Sequence, residues 1–92
     1  MIMITKLTKM PYANARVIKY DDGTTILQSY KTQVAEIDKD GWLQVFGLYS
    51  ATTRRHISAF MREYTNFDYY MAKDIYISSE KLNLATGEIV SV

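Results

Sequence analysis

The chain has 92 residues, a length that allows one domain, and its 48% hydrophobic content supplies a single core and excludes a disordered chain. The lack of cysteine excludes disulfides, thiolate metal sites and cysteine nucleophiles, and a single histidine excludes a multi-histidine metal centre. No apolar run approaches the ~20 residues of a membrane span, and the apolar start at residues 1–6 is too short for a signal-peptide core. We therefore expect one soluble cytoplasmic domain over residues 1–92, with no metal and no membrane partner.

The net charge of +1 conceals an alternation of charge blocks along the chain. Residues 1–20 carry +4, residues 21–40 carry −3, residues 41–62 carry +3, and residues 63–92 carry −3. This alternation predicts a basic patch and an acidic patch on one small surface. The alternative is that acids occupy turns and bases occupy solvated faces, and specific duplex-binding proteins are usually far more basic.

Four stretches of β-strand character follow one another in the first half of the chain. They cover residues 14–20, 24–30, 33–38 and 42–47, and short turns join them. Asp21-Asp22-Gly23 and Lys39-Asp40-Gly41 have the composition of hairpin turns, in which glycine takes a positive φ. The pattern predicts a four-stranded antiparallel β-meander.

The hydrophobic period changes from residue 49 to residue 64. Apolar side chains there recur at i, i+3, i+4 and i+7, which is the stripe of an amphipathic helix: Ile57, Phe60, Met61 and Tyr64. Nearby hydroxyls suit the N-cap and Thr65 ends the run. We expect this helix to cover one face of the sheet.

The remainder of the chain is less regular. Residues 67–73 fit a short helical turn, residues 74–78 fit a short strand, and residues 82–92 fit a terminal hairpin. The fold class predicted is therefore α+β: a four-stranded antiparallel β-meander packed by one main α-helix, with a C-terminal short strand or hairpin.

Two arginines stand near the start of the predicted helix, where the positive end of the helix dipole disfavours cations. Free backbone N–H groups, hydroxyls and arginine forks together can hold a phosphate or carboxylate. Ser50, Thr52, Thr53, Arg54 and Arg55 are therefore a candidate anion-binding corner.

The alternative for this corner needs no ligand. The hydroxyls would only cap the helix, and the arginine side chains would extend into water or pair with Glu36 or Glu63.

His56 lies at the edge of the apolar stripe, and helix geometry builds no catalytic triad from it with Ser50, Ser58 or Glu63. We expect a helix-packing histidine, bonded to backbone or to Thr52. The sequence has no glycine-rich phosphate loop, meaningful carboxylate pair or metal signature. These observations predict a non-enzymatic protein without catalytic residues or cofactors.

Aromatic side chains form a second candidate surface. Tyr20, Tyr30, Trp42 and Phe46 would line the sheet face away from the helix, as a base-stacking platform or as the anchors of a protein interface. Alternatively, the C-terminal tail or a second protomer covers them as ordinary core.

Two stretches resemble a known family. Residues 29–38 follow the pattern S-Y-x-T-x-V-A-x-I-D, and residues 49–60 follow Y-S-x-T-T-x-x-H-I-x-x-F. Both patterns are similar to those of small uncharacterised proteins of phages and mobile elements, a domain of unknown function, and the resemblance covers roughly residues 24–62. It implies a viral accessory protein in the host cell, a class that often binds a host target and includes inhibitors of defence such as anti-CRISPR proteins.

The leading functional prediction combines these observations. We expect a non-enzymatic phage accessory protein that binds and inhibits or redirects a host protein, for which a defence nuclease is a candidate. The predicted interface joins Arg54, Arg55 and Arg62 with Trp42 or Tyr30. The alternatives are a small nucleic-acid-binding module that uses the same basic corner, and a homodimeric structural or assembly protein that uses the open sheet edge or the aromatic face.

Overall fold

The computed structural model describes residues 1–92 as one antiparallel sheet covered on one side by two helices. The seven strands lie side by side in chain order, and both helices come between the fifth strand and the sixth. The strands are β1 Ile2–Thr5, β2 Ala15–Tyr20, β3 Thr25–Ser29, β4 Thr32–Ile37, β5 Trp42–Val45, β6 Glu80–Asn83 and β7 Ile89–Ser91. The helices are α1 Ala51–Tyr64 and α2 Tyr69–Ile77, and neither is long and apolar enough to cross a membrane.

The predicted four-stranded meander with one main helix is wrong, because the sheet has seven strands and there are two helices. The four predicted strands are present as β2 to β5. The sheet continues beyond them at both edges, where β1 pairs with β2 and the C-terminal hairpin of β6 and β7 pairs with β5.

The second helix contains most of the predicted helical turn over residues 67–73 and continues through the residues predicted as a strand. Residues 74–78 were expected to be extended, but the helix α2 runs to Ile77. Asp68 caps it by accepting a hydrogen bond from the Met71 amide at 3.1 Å. Ala72 and Ile75, three positions apart, are both buried against the core, and this packing outweighs the β-propensity of the Ile-Tyr-Ile sequence.

The core lies between the helices and one face of the sheet. A row of paired residues crosses four adjacent strands on that face, namely Val17, Leu27, Ala35 and Val45. The α1 stripe packs onto it through Ile57, Phe60 and Met61, each completely buried. A register shift after Leu27 gives β4 one extra residue, so that Val34 and Ala35 are both buried.

Side chains alternate between the two faces of a strand, so the neighbours of these core residues point to the opposite face of the sheet. No helix covers that face. It carries a second row of paired residues, which begins with Ile4, Ile18 and Ile26 on β1 to β3 and continues with Glu36 and Gln44 on β4 and β5. We call this helix-free face of the sheet the open face.

Candidate partner-binding site

The helix α1, which carries the three arginines, is capped at both ends. Ser50 is the N-cap, and its Oγ accepts a hydrogen bond from the Thr53 amide at 3.2 Å. Thr65 is the C-cap, and its amide and its hydroxyl both donate to the Met61 carbonyl, at 3.0 and 2.7 Å. These caps satisfy backbone groups that a helix otherwise leaves unpaired.

The three predicted arginines line one cleft of about 350 Å³ between α1 and the start of α2. Arg54, Ser58 and Arg62 follow each other at four-residue intervals on α1, and Arg55 lies beside them. The other wall comes from α2 and its cap. We call this the arginine cleft, and its lining residues are Arg54, Arg55, Ser58, Arg62, Asp68, Tyr69 and Tyr70.

No internal ion pair engages the arginines of this cleft. The single ion pair of the structure joins the amino group of Met1 to Asp21, away from the helices. Asp68 is the only acid in the cleft lining, and it caps α2. Glu63 accepts a hydrogen bond from the Thr8 amide at 2.7 Å instead of pairing with an arginine.

Two tyrosines give the arginine cleft an aromatic wall. The rings of Tyr69 and Tyr70 lie edge to face, with centroids 5.8 Å apart and planes 68° apart. Tyr69 packs partly against the core, whereas Tyr70 is 69% exposed. The cleft therefore combines guanidinium groups free of internal ion pairs with an accessible phenol ring.

A buried polar network lies behind the start of α1. The Ser29 hydroxyl is 2.8 Å from His56 Nδ1 and 3.0 Å from Thr53 Oγ1, and all three side chains are buried. Burial lowers the pKa of His56 below its ordinary value of 6.5, because the charged imidazolium loses its hydration. The histidine packs the helix as predicted, but its partner is Ser29 rather than backbone or Thr52. The network joins the two sequence patterns quoted above, since Ser29 belongs to the first and Thr53 and His56 belong to the second.

The candidate anion-binding corner divides into two parts. The hydroxyls of Ser50 and Thr53 are engaged in the cap and in the buried network, 3.3 Å from each other. Thr52 is half-buried on the first turn, while Arg54 and Arg55 are exposed in the arginine cleft. Anion binding by these five residues stays a prediction, which now depends chiefly on the two arginines.

The aromatic residues predicted to join the arginines do not line the arginine cleft. Tyr30 sits in the β3–β4 turn with a left-handed φ of 55°, and its ring centroid is 5.9 Å from that of His56. Trp42 lies on β5, on the same side of the sheet as Glu36, with Lys81 Nζ 5.3 Å from its ring centroid. The tyrosines that do join the arginines, Tyr69 and Tyr70, escaped prediction because the position of α2 was not foreseen.

Tyr30 belongs to a second, larger cleft of about 620 Å³. Three cations and no acid line this cleft, together with polar and small side chains. The cations are Lys6, Arg16 and Lys31.

The turns separate the acids from these cations. The β2–β3 and β4–β5 turns lie at one end of the sheet, where a Cβ on Gly23 would be 3.9 Å from the Lys39 Cα. They carry the acids Asp21, Asp22, Asp38 and Asp40. The β3–β4 turn, with Lys31, lies at the opposite end, because successive strands of a meander reverse direction. The charge blocks of the sequence thus become a more acidic end and a more basic end.

The comparisons with known proteins identify a family but no function. The model described as "Family of unknown function (DUF8033)" matches residues 2–78, which run from β1 to the end of α2 and leave out the C-terminal hairpin. No curated protein and no solved structure matches the chain. The match spans most of the chain, so this protein belongs to that family of unknown function.

Proposed function

We propose that this protein acts by binding a partner protein through the arginine cleft, without catalysing a reaction. The partner presents acidic side chains on a surface that fits between α1 and α2. Carboxylates would pair with the guanidinium groups, and Tyr70 would supply apolar contact area beside them.

The observation that carries this proposal is the grouping of Arg54, Arg55 and Arg62 in one cleft without an acidic partner other than the capping Asp68. Arginine binds carboxylates through two parallel hydrogen bonds, and it is enriched with tyrosine at the energetic centres of protein interfaces. The cations near the first turn of α1 also oppose the helix dipole. Carboxylates of an acidic partner would offset that unfavourable interaction on binding.

The proposal extends to the biological role. We infer a phage or mobile-element accessory protein that acts in the host cytoplasm and inhibits or redirects a host protein, a defence nuclease among the candidates. The small size and the two sequence patterns support this role. An acidic target surface also suits a nuclease inhibitor, because nucleases expose acidic metal-binding groups and the inhibitor would cover them.

A nucleic-acid partner is the second candidate, and the larger cleft favours it. Lys6, Arg16 and Lys31 stand beside the exposed ring of Tyr30, a combination that suits a phosphate backbone and a stacked base. The net charge of +1 argues against it as the leading function, since nucleic-acid-binding domains usually carry a larger positive charge.

The test is a pull-down from host lysate with and without nuclease treatment, followed by affinity measurement with the captured partner. We expect one protein to be retained after nuclease treatment and at moderate salt. Arg54→Ala combined with Arg55→Ala should weaken its affinity by about 100-fold or more, because arginines at interface centres often contribute over 2 kcal/mol each.

The matched control is Lys9→Ala combined with Lys39→Ala, which removes the same charge from exposed positions outside the cleft. Equal loss in both double variants would reduce the effect to net charge and contradict the proposal. Capture that disappears on nuclease treatment, with a steep loss of affinity as salt rises, would establish the nucleic-acid candidate instead.

A further inference from the structure

The open face is apolar across β1 to β3, where a solvated face is normally polar. In an antiparallel sheet packed on one side only, the solvated face usually presents polar residues. Here Ile4, Ile18 and Ile26 are paired side by side on three adjacent strands. Ile2 and Tyr20 form the next paired row on the same face.

This patch is separate from the core. Ile26 is only 6% exposed, yet it lies outside the continuous cluster between sheet and helices, and Ile18 does not pack against that cluster. Ile2 and Ile4 are 56% and 59% exposed. These isoleucines lie outside the core beneath the helices, and Ile2 and Ile4 at the edge of the patch remain in contact with water.

We infer that the open face is the interface of a homodimer, in which two copies pack sheet against sheet with their helices outward. A second copy brings an identical apolar row. Twisted sheets pack face to face in this way in β-sandwiches, at about 30° to each other. The result is a four-layer arrangement whose inner core is formed by the isoleucine rows of both protomers.

The size of the face fits this partner. The molecule measures 33 × 31 × 21 Å, so its broadest face is bounded at roughly 1,000 Å². A stable interface of standard size buries ~800 Å² on each partner, so a dimer would use most of this face and not the isoleucine row alone.

The charges of the face fit a second copy better than a strongly charged partner. Arg16 lies in the row beside the isoleucines and Glu36 continues their row, so the same face carries both signs. A two-fold axis allows Arg16 of one protomer to pair with Glu36 of its partner, and the reverse pair forms by symmetry. The arginine cleft stays free because it lies on the helix side.

The test is the molecular mass in solution, measured by sedimentation from low-micromolar to millimolar concentration. We expect the mass to rise from 10.6 kDa to twice that value. Ile4→Lys combined with Ile18→Lys should raise the dimer dissociation constant by about 100-fold or more, because each change places an ammonium group in the apolar interface twice. Circular dichroism would check that the variant is folded.

The matched control is Ile77→Lys, which changes the same residue type at 65% exposure on α2 and should leave the dimer intact. If the double variant does not fold, Ile4→Lys alone carries the test, since that side chain is already largely exposed. A wild-type protein that stays monomeric at millimolar concentration would overturn the inference. A dimer that resists both Ile4→Lys and the double change would also overturn it.

Discussion

Both faces of the sheet carry aliphatic side chains, but only those of the covered face belong to the hydrophobic core. On the covered face, Leu27 pairs with Val17 and Ala35 beneath α1 and is fully buried in the core. On the open face, the adjacent residue Ile26 is nearly as inaccessible, although it lies outside that core cluster. Burial of a residue and its membership of the core are therefore separate properties in this fold.

The largest expected change in the free energy of unfolding comes from truncating Leu27, and truncation of its neighbour Ile26 provides the comparison. Leu27→Ala should lower the free energy of unfolding by about 3 kcal/mol, because it removes buried methyl groups and leaves a cavity under the helices. Ile26→Ala should cost about half as much, since water can enter the open face and no closed cavity forms. Urea unfolding at low protein concentration would measure both, and equal losses would contradict the distinction between the faces.

The pH dependence of stability tests the contact between α1 and the covered face. Because burial lowers the pKa of His56 in the folded protein, the unfolded chain binds its proton first as pH falls. The contribution of His56 to the free energy of unfolding should therefore be fully present above pH 6.5. It should decrease as pH falls from 6.5 to the lowered pKa of the folded state. For one titrating group, the free energy of unfolding cannot change by more than ~1.4 kcal/mol per pH unit.

The measurement is thermal unfolding between pH 5 and pH 8, compared with His56→Gln, which removes the only imidazole of the chain. The slope between pH 5 and pH 6.5 should be smaller in the variant by the contribution of one group. An NMR titration that gave the imidazole a pKa at or above 6.5 would contradict the prediction.

The smallest expected effect concerns one hydroxyl at the sheet edge. The Thr5 Oγ1 is buried without a hydrogen-bond partner, on the residue that pairs with Val17 of the covered face. Thr5→Val should raise the free energy of unfolding by about 1 kcal/mol, because it replaces an unsatisfied polar atom with a methyl group of similar size. The control Thr32→Val, at an exposed strand position, should change stability by less than ~0.5 kcal/mol, and an equal gain there would indicate β-propensity instead.

The sequence predicted the elements whose patterns are local. The alternation in β2 to β5 and the stripe of α1 appear in the chain itself, and so does the helical spacing that brings Arg54 and Arg62 to one cleft. The strand β1 escaped prediction because apolar residues occupy both of its faces. The second half of α2 was predicted as a strand because β-branched and aromatic residues dominate it, whereas its packing against the core favours the helix.

The parts of the candidate site that depend on contacts between residues far apart in the chain could not be predicted from local sequence patterns. Ser29 and His56 are 27 positions apart, and nothing in the spacing of either residue points to the other. Tyr70 enters the arginine cleft only because α2 folds back beside α1. The open isoleucine row likewise depends on the register between β1 and β2, which the sequence left unassigned.

The order of the strands has a consequence for how the chain folds. Nearly every strand pairs with the next one across a loop or short turn, so those hairpins can close early at little entropic cost. The pairing of β5 with β6 is the exception, because both helices are inserted between Val45 and Glu80. We therefore expect the C-terminal hairpin to dock last during folding and to detach first when the native protein opens.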